Sequence, residues 1–337
     1  MEHLDNPYKG LANVSATCYI NTIVSCLGNC KEFLEFVINK IDPSSNSLIN
    51  ELRLIYYDQW VEGHSLIPNR FLGCLVKNIT ELNIHSQNDI NEFLSILIDK
   101  LNKCICEKVS ITKETLIESN NYDNTPYDAQ RLKMDINWYE SNKNEYSNML
   151  KLFYGQTISQ IICGNCDHIH HNYELYMNIM VPITSQTQNL TDCIKEYFNE
   201  ELLNKNESVW KCTKCDLHHE SKKVLKIWNT PKILIISLKR FTYDEKGNSY
   251  KNNKNIDIPS TIDLSKHKLS KGGMIYNLRS VAMHIGDIDS GHYYSICKHK
   301  NGKHYIIDDL SVREVKDVDF SKNGYVFFYE EQEEEIA

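Results

Sequence analysis

No uninterrupted apolar run of about 18 residues occurs in this 337-residue chain, and its opening Met1–Gly10 stretch is polar and charged, with no apolar h-region. The expectation is a protein that neither enters a membrane nor is secreted, and so a cytoplasmic or nuclear one. An excess of positive charge is missing too: 37 Lys and Arg stand against 45 Asp and Glu, a net charge of -8. That argues against a nucleic-acid binder that relies on a general basic surface, and favours a partner with a basic element. Internal repeats and low-complexity tracts are lacking, apart from the acidic end, where residues 331–337 are expected to form a solvated tail.

Cysteine is not scarce. Twelve of them in a long chain without a secretory signal argue against a disulfide scaffold and for metal binding or catalysis. Cys26, Cys30, Cys74, Cys104, Cys106, Cys193 and Cys297 show no ligand-like pairing and are expected to be inert packing.

From Asn13 to about residue 110 the pattern is helical, clearest where Ile90, Phe93, Leu94 and Leu97 recur at i, i+3, i+4 and i+7. Residues from about 107 to 145, with the polar run Ser119–Asn124 and the Thr125-Pro126 pair, read as a surface connection or insertion rich in turn formers. After about residue 155 short β-branched runs dominate: 232–238, 277–285, 293–297, 305–307 and 325–329. A helical first third followed by a sheet-rich remainder is an α+β architecture.

A thiol is a useful nucleophile only as thiolate, which needs an imidazole or a helix N-terminus, and the imidazole needs a carboxylate or amide to orient it. Cys18, in Asn13-Val14-Ser15-Ala16-Thr17-Cys18-Tyr19, follows a polar turn and leads into helical periodicity. The helix dipole is expected to favour its thiolate. Asn13, upstream on the incoming loop, is placed to donate to an oxyanion. Some 270 residues on, Gly291-His292-Tyr293 supplies a base, His292, fixed by the strand that follows. The preceding glycine allows backbone and substrate to approach closely. His284 is expected to pack or hydrogen-bond beside the site. Asp308 and Asp309 end an apolar strand, and one of them orients the imidazole.

A second constellation is Cys163-Gly164-Asn165-Cys166 with Cys212-Thr213-Lys214-Cys215. Two C-x-x-C knuckles supply four thiolates for a tetrahedral zinc with no open position, which makes the metal structural. His168, His170, His171, His218 and His219 are expected to be surface residues rather than ligands.

These segments together resemble the ubiquitin-specific protease family, the papain-like deubiquitinases. Residues 10–19 resemble the family's cysteine box, and 291–293 through 308–309 its histidine box. Gln87–Leu94 resembles a helix after the first box, Leu152–Gln156 the entry to the first knuckle, and Ser237–Phe241 the strand after the second. The resemblance implies one catalytic domain over about residues 8–330, with a helical thumb (about 8–110), zinc-bearing fingers (about 155–235) and a β-rich palm (mainly 236–330). It implies cleavage after the C-terminal glycine of ubiquitin through an acyl-enzyme. Cys18 would be the nucleophile, His292 base and acid, Asp308 the orienting residue, Asn13 the oxyanion donor and Asp309 a support. Asp89 and Glu92 match positions that meet the arginines of ubiquitin's tail, and Gly291 and Tyr293 flank its glycine-rich end. Ubiquitin or ubiquitinated proteins are the implied partners, with no nucleic acid and no membrane. Ser15 stands where the family usually has glycine, and Ser237 where histidine is frequent. The alternatives are a catalytically impaired ubiquitin-binding module and a protease for a ubiquitin-like modifier.

Overall fold

Where apolar residues recur at three- and four-residue spacing, the chain is helical. The structure is a computed structural model describing residues 9–332 apart from 45–46, 120–121, 123–124, 204–209, 244–245, 271–273 and 288–289. Most of the expected tail, 333–337, and residue 8 at the expected domain start lie outside the described residues. The first layer comprises α1 (Cys18–Gly28), α2 (Lys31–Lys40), α3 (Leu48–Tyr57), α4 (Asn69–Asn78) and α5 (Ile90–Lys103). All of α1 except Ser25 is buried, which makes it a core helix rather than an amphipathic surface one. α5 starts where the Asp89 side chain accepts hydrogen bonds from the Asn91 and Glu92 backbone N–H groups.

The stretch expected to be an irregular connection is instead largely helical: α6 (Lys113–Ser119) and the 17-residue α7 (Pro126–Asn142) occupy it. Thr125 accepts from the Asp128 N–H, and Pro126 fills the first turn, so the Thr-Pro pair starts a helix rather than a turn. Only Met134 and Trp138 of α7 are buried, too few to make a visible stripe. The short α8 (Leu150–Phe153) leads into the strands.

β1 (Gly155–Cys163), β2 (Ile169–Tyr176), β3 (Asn178–Val181), α9 (Leu190–Tyr197), β4 (Glu201–Leu203), β5 (Ser221–Asn229) and β6 (Ile233–Leu238) follow. Then come β7 (Phe241–Tyr243), β8 (Ser249–Lys251), β9 (Thr261–Asp263), β10 (Ile275–Gly286), β11 (Gly291–Lys298), β12 (His304–Asp308), β13 (Ser311–Val315) and β14 (Gly324–Glu331). One sheet runs β13-β12-β11-β10-β14-β6-β3 with β9 on β10; a four-stranded sheet runs β2-β1-β5-β4; β7 pairs β8. The large sheet takes β3 from inside the span expected for fingers, because the chain returns to it between the hairpin β1–β2 and α9.

The large sheet divides two cores. In β6, Ile233 and Ile235 face the helices while Leu234, Ile236 and Leu238 face the second core; in β14, Val326 and Phe328 oppose Phe327 and Tyr329 in the same way. Burial on both faces explains the continuous apolar runs. Behind the second core Arg240 is fully buried, and among the described residues no carboxylate pairs with it. Its guanidinium donates to the carbonyls of Gly324, Asn252, Lys254 and Ser321, which ties the turn after β6 to two other loops.

Candidate active site

α1 packs against β11, and this contact brings the two distant boxes together. The loop before α1 builds its own start: Asn13 Oδ1 accepts from the Thr17 N–H (3.0 Å) and hydroxyl (3.1 Å), while Thr17 Oγ1 accepts from the Val14 N–H (2.9 Å). That turn holds Ser15 at φ 79, in the left-handed region that disfavours a side chain. Cys18 is the first residue of α1 and is 6% exposed.

His292, on β11, meets Asp308, at the end of β12, through Nε2 and Oδ1 at 2.6 Å. Both are partly exposed. Asp309 follows at φ 51 and faces the cysteine loop. Its carboxylate accepts from Asn13 Nδ2 (2.9 Å) and Asn21 Nδ2 (2.8 Å), and its carbonyl accepts from the Leu11 N–H (3.1 Å). Gly10 permits this seam, since a Cβ there would lie 2.3 Å from the Asp309 oxygen. Asn13, the expected oxyanion donor, thus already spends one N–H on Asp309; its second remains for an oxyanion.

The thiol does not behave as the helix terminus alone suggests. Burial pushes the Cys18 thiol above its usual 9.0 and the Asp309 carboxylate adds to this, while backbone N–H groups led by that of Tyr293 lower it only partly. Desolvation outweighs the dipole. Among the described residues no hydrogen bond joins the thiol to His292, and its raised titration favours the neutral thiol.

His284 packs beside the site as expected. It is 3% exposed, lies edge-on to Phe241, and touches Tyr293. Burial, then Lys251 and His292, lower it to about 4, so it stays neutral near neutral pH. A Cβ on residue 291 would sit 2.0 Å from the His284 ring, so the glycine before the base is required by this histidine.

The expected substrate residues divide. Asp89 caps α5 and accepts from the Tyr325 hydroxyl at 2.8 Å, whereas Glu92 lies exposed on the first turn. Gly291 is partly exposed, but the Tyr293 ring is buried against His284 and Tyr325, so only its backbone faces the cleft. Sequence reasoning passed over Asn21, three residues beyond Cys18 on α1, for which the spacing from Cys18 was the available signal. It placed Gln87 at the head of a family-like segment but gave it no role, and its side-chain amide bonds the Gly291 backbone.

At the far end of the four-stranded sheet the four knuckle cysteines converge, with their sulfurs all within 4.8 Å of one another. Cys163 and Cys215 are 3.8 Å apart and Cys166 and Cys212 3.6 Å, against about 3.8 Å between thiolates bound tetrahedrally at about 2.3 Å. Both knuckles fold alike: the N–H of Asp167 or Asp216 returns to the carbonyl of Cys163 or Cys212, with both aspartates at positive φ. The donor set fits a soft divalent metal. His168 bonds Thr213, His170 Asn172, His171 Gln160 and His218 the Trp210 carbonyl, and the metal cluster contains no histidine.

The family model for ubiquitin carboxyl-terminal hydrolase matches residues 9–329. The chain belongs to the ubiquitin carboxyl-terminal hydrolase family. It is 25% identical over 340 residues to ubiquitin carboxyl-terminal hydrolase Usp2 of Drosophila melanogaster, covering 95% of this chain and 34% of that one. Against ubiquitin carboxyl-terminal hydrolase 21 of Rattus norvegicus it is 24% identical over 362 residues, with 98% and 63% covered. Against ubiquitin carboxyl-terminal hydrolase 15 of Arabidopsis thaliana it is 26% identical over 339 residues, with 97% and 34% covered. The chain therefore spans between about a third and just under two thirds of these relatives. A chain of the SAGA Ubp8/Sgf11/Sus1/Sgf73 DUB module bound to ubiquitin aldehyde shares the hydrolase fold at a TM-score of 0.75, with 20% identity and coverage of 99% of this chain and 71% of that one.

Proposed function

We propose that this chain is a thiol-dependent deubiquitinase that hydrolyses the isopeptide or peptide bond after the C-terminal glycine of ubiquitin. The observation that carries this reading is the 2.6 Å His292–Asp308 pair on β11 and β12, packed against the helix that Cys18 begins. Nε2 is held by Asp308, so Nδ1 is the nitrogen left for the thiol. His292 takes the Cys18 proton as sulfur attacks the carbonyl; Asn13 and backbone N–H groups at the start of α1 receive the oxyanion. The proton then passes to the departing amine, which leaves an acyl-enzyme. Water, deprotonated by His292, releases the ubiquitin carboxylate and restores the thiol. Asp309, tied to Asn13 and Asn21, holds the oxyanion loop against the histidine strand.

The helical layer, the large sheet and the four-stranded projection would serve as thumb, palm and fingers. The four knuckle cysteines would hold one structural zinc as thiolates, with no part in the chemistry. Glu92, exposed, and Asp89, already capping, offer the acidic surface for a basic tail. A cytosolic or nuclear setting suits the free thiols. No catalytic group is missing, which leaves a binding-only module without support. Purified protein and its Cys18→Ala variant are to be mixed with ubiquitin bearing a C-terminal thiol-reactive electrophile and weighed intact. A covalent adduct absent from the variant is expected; no adduct from a folded, metal-loaded protein would sink the reading.

A further inference from the structure

Gln87, on the loop before α5, reaches across to the palm-side strand and makes two hydrogen bonds with one residue. Its Nε2 donates to the Gly291 carbonyl and its Oε1 accepts from the Gly291 N–H, both at 2.9 Å. In an extended strand the N–H and C=O of one residue point to the same side, as do those of residue i+2. The side of β11 that Gln87 seals at Gly291 therefore also presents the Tyr293 N–H, which lies against the Cys18 thiol. β12 does not cover this edge, since its pairing with β11 begins only at Ser295. Among the described residues no strand pairs with Gly291 on this edge, about 7 Å from the point where the thiol meets the strand.

A tail whose terminal carbonyl is under attack by Cys18, and which runs back along this edge, sets a main-chain amide opposite Gly291. The Gln87 side-chain amide occupies that place, offering the same donor and acceptor. We propose that Gln87 is a latch: in the free protein it fills the main-chain site at the Gly291 edge, and an entering glycine-rich tail must displace it. Gln87 itself is exposed rather than held in the core. The tail's own amide would replace both bonds by β-augmentation. The inference rests on the deubiquitinase reading above.

Gln87→Ala tests it in the full chain. The variant is expected to react with the ubiquitin electrophile about tenfold faster than the natural protein, the factor set by removing two modest neutral hydrogen bonds. Hydrogen exchange at the Gly291 amide is expected to accelerate by about the same factor while that at Tyr293 stays put. Alkylation of Cys18 by iodoacetamide, too small to need the edge, is expected to keep its rate. An unchanged Gly291 exchange rate would show that Gln87 does not hold the edge. A slower or unchanged adduct rate with faster exchange would make Gln87 a buttress of His292, and the latch would fall while the deubiquitinase reading stands. If neither protein forms an adduct, both fall together.

Discussion

Asn21 delivers one amide nitrogen to three acceptors, the carbonyls of Leu11 and Ala12 and the Asp309 carboxylate, from a buried position between α1 and the strand end. Truncating it leaves these acceptors short of a donor, so Asn21→Ala is expected to cost about 1–3 kcal/mol of stability. It should also slow adduct formation with the ubiquitin electrophile; an unchanged rate would confine Asn21 to structure. Ser15 tests the opposite direction. Glycine is at home at φ 79, so Ser15→Gly is expected to raise stability by about 1 kcal/mol in urea unfolding. A loss instead would mean that the serine hydroxyl supports the turn. The thiol gives a pH signature. Because Cys18 titrates above 9.0, its thiolate fraction in the free protein grows about tenfold per pH unit between pH 6 and 8, and iodoacetamide alkylation should follow. A plateau in that range would show that His292 already holds the proton.

At the scale of elements, β10, β11 and β14 are joined by side chains that need particular states. His284 on β10 is held neutral, at about 4 against a usual 6.5. The unfolded chain therefore binds a proton that the folded chain refuses, and stability from this group is present above pH 6.5 and lost as pH falls toward 4. Urea midpoints measured at pH 7 and pH 5 should fall at the lower pH, and His284→Asn should remove much of that difference. Arg240 is the converse case: burial lowers it, yet only to about 10, so it stays charged at neutral pH and supplies four carbonyls. Arg240→Met keeps bulk but strands those carbonyls, and about 4 kcal/mol of stability should go with them. A loss below about 1 kcal/mol would mean that water replaces the guanidinium.

At the scale of the whole molecule, the metal knuckles close the end of the four-stranded sheet remote from β11. Gly164 lets them meet, because a Cβ there would lie 2.3 Å from the Glu220 oxygen. The protein is expected to carry one zinc, read by native mass spectrometry, and Cys212→Ser to lose it. Chelation should unravel the projection and abolish the ubiquitin adduct while iodoacetamide still reaches Cys18, since α1 and the Tyr293 and Cys297 side of β11 belong to the helical-side core, to which no described residue of the four-stranded sheet contributes. Loss of both reactions together would instead make the projection part of one cooperative unit with the catalytic core.

The sequence by itself determined the residue types and their order. The i, i+3, i+4 stripe of α5, the two-sided apolar runs of β6 and β14, and the paired C-x-x-C knuckles are local patterns, and each took the predicted form. α7 escaped because its two buried side chains, one i, i+4 pair, are too few to show a stripe, although Thr125-Pro126 announced its start. Only tertiary structure decided that Asp308 meets the imidazole while Asp309 turns to Asn13 and Asn21, since the two carboxylates are equivalent until the strand ends and the chain turns at positive φ. It also decided that Cys18 rests as a neutral thiol and that Gln87 meets Gly291. Burial, and close approach across 16 residues at His292–Asp308 and 204 or more at Gln87–Gly291 and the Asp309 bonds, are properties of packing, which no local pattern of sequence contains.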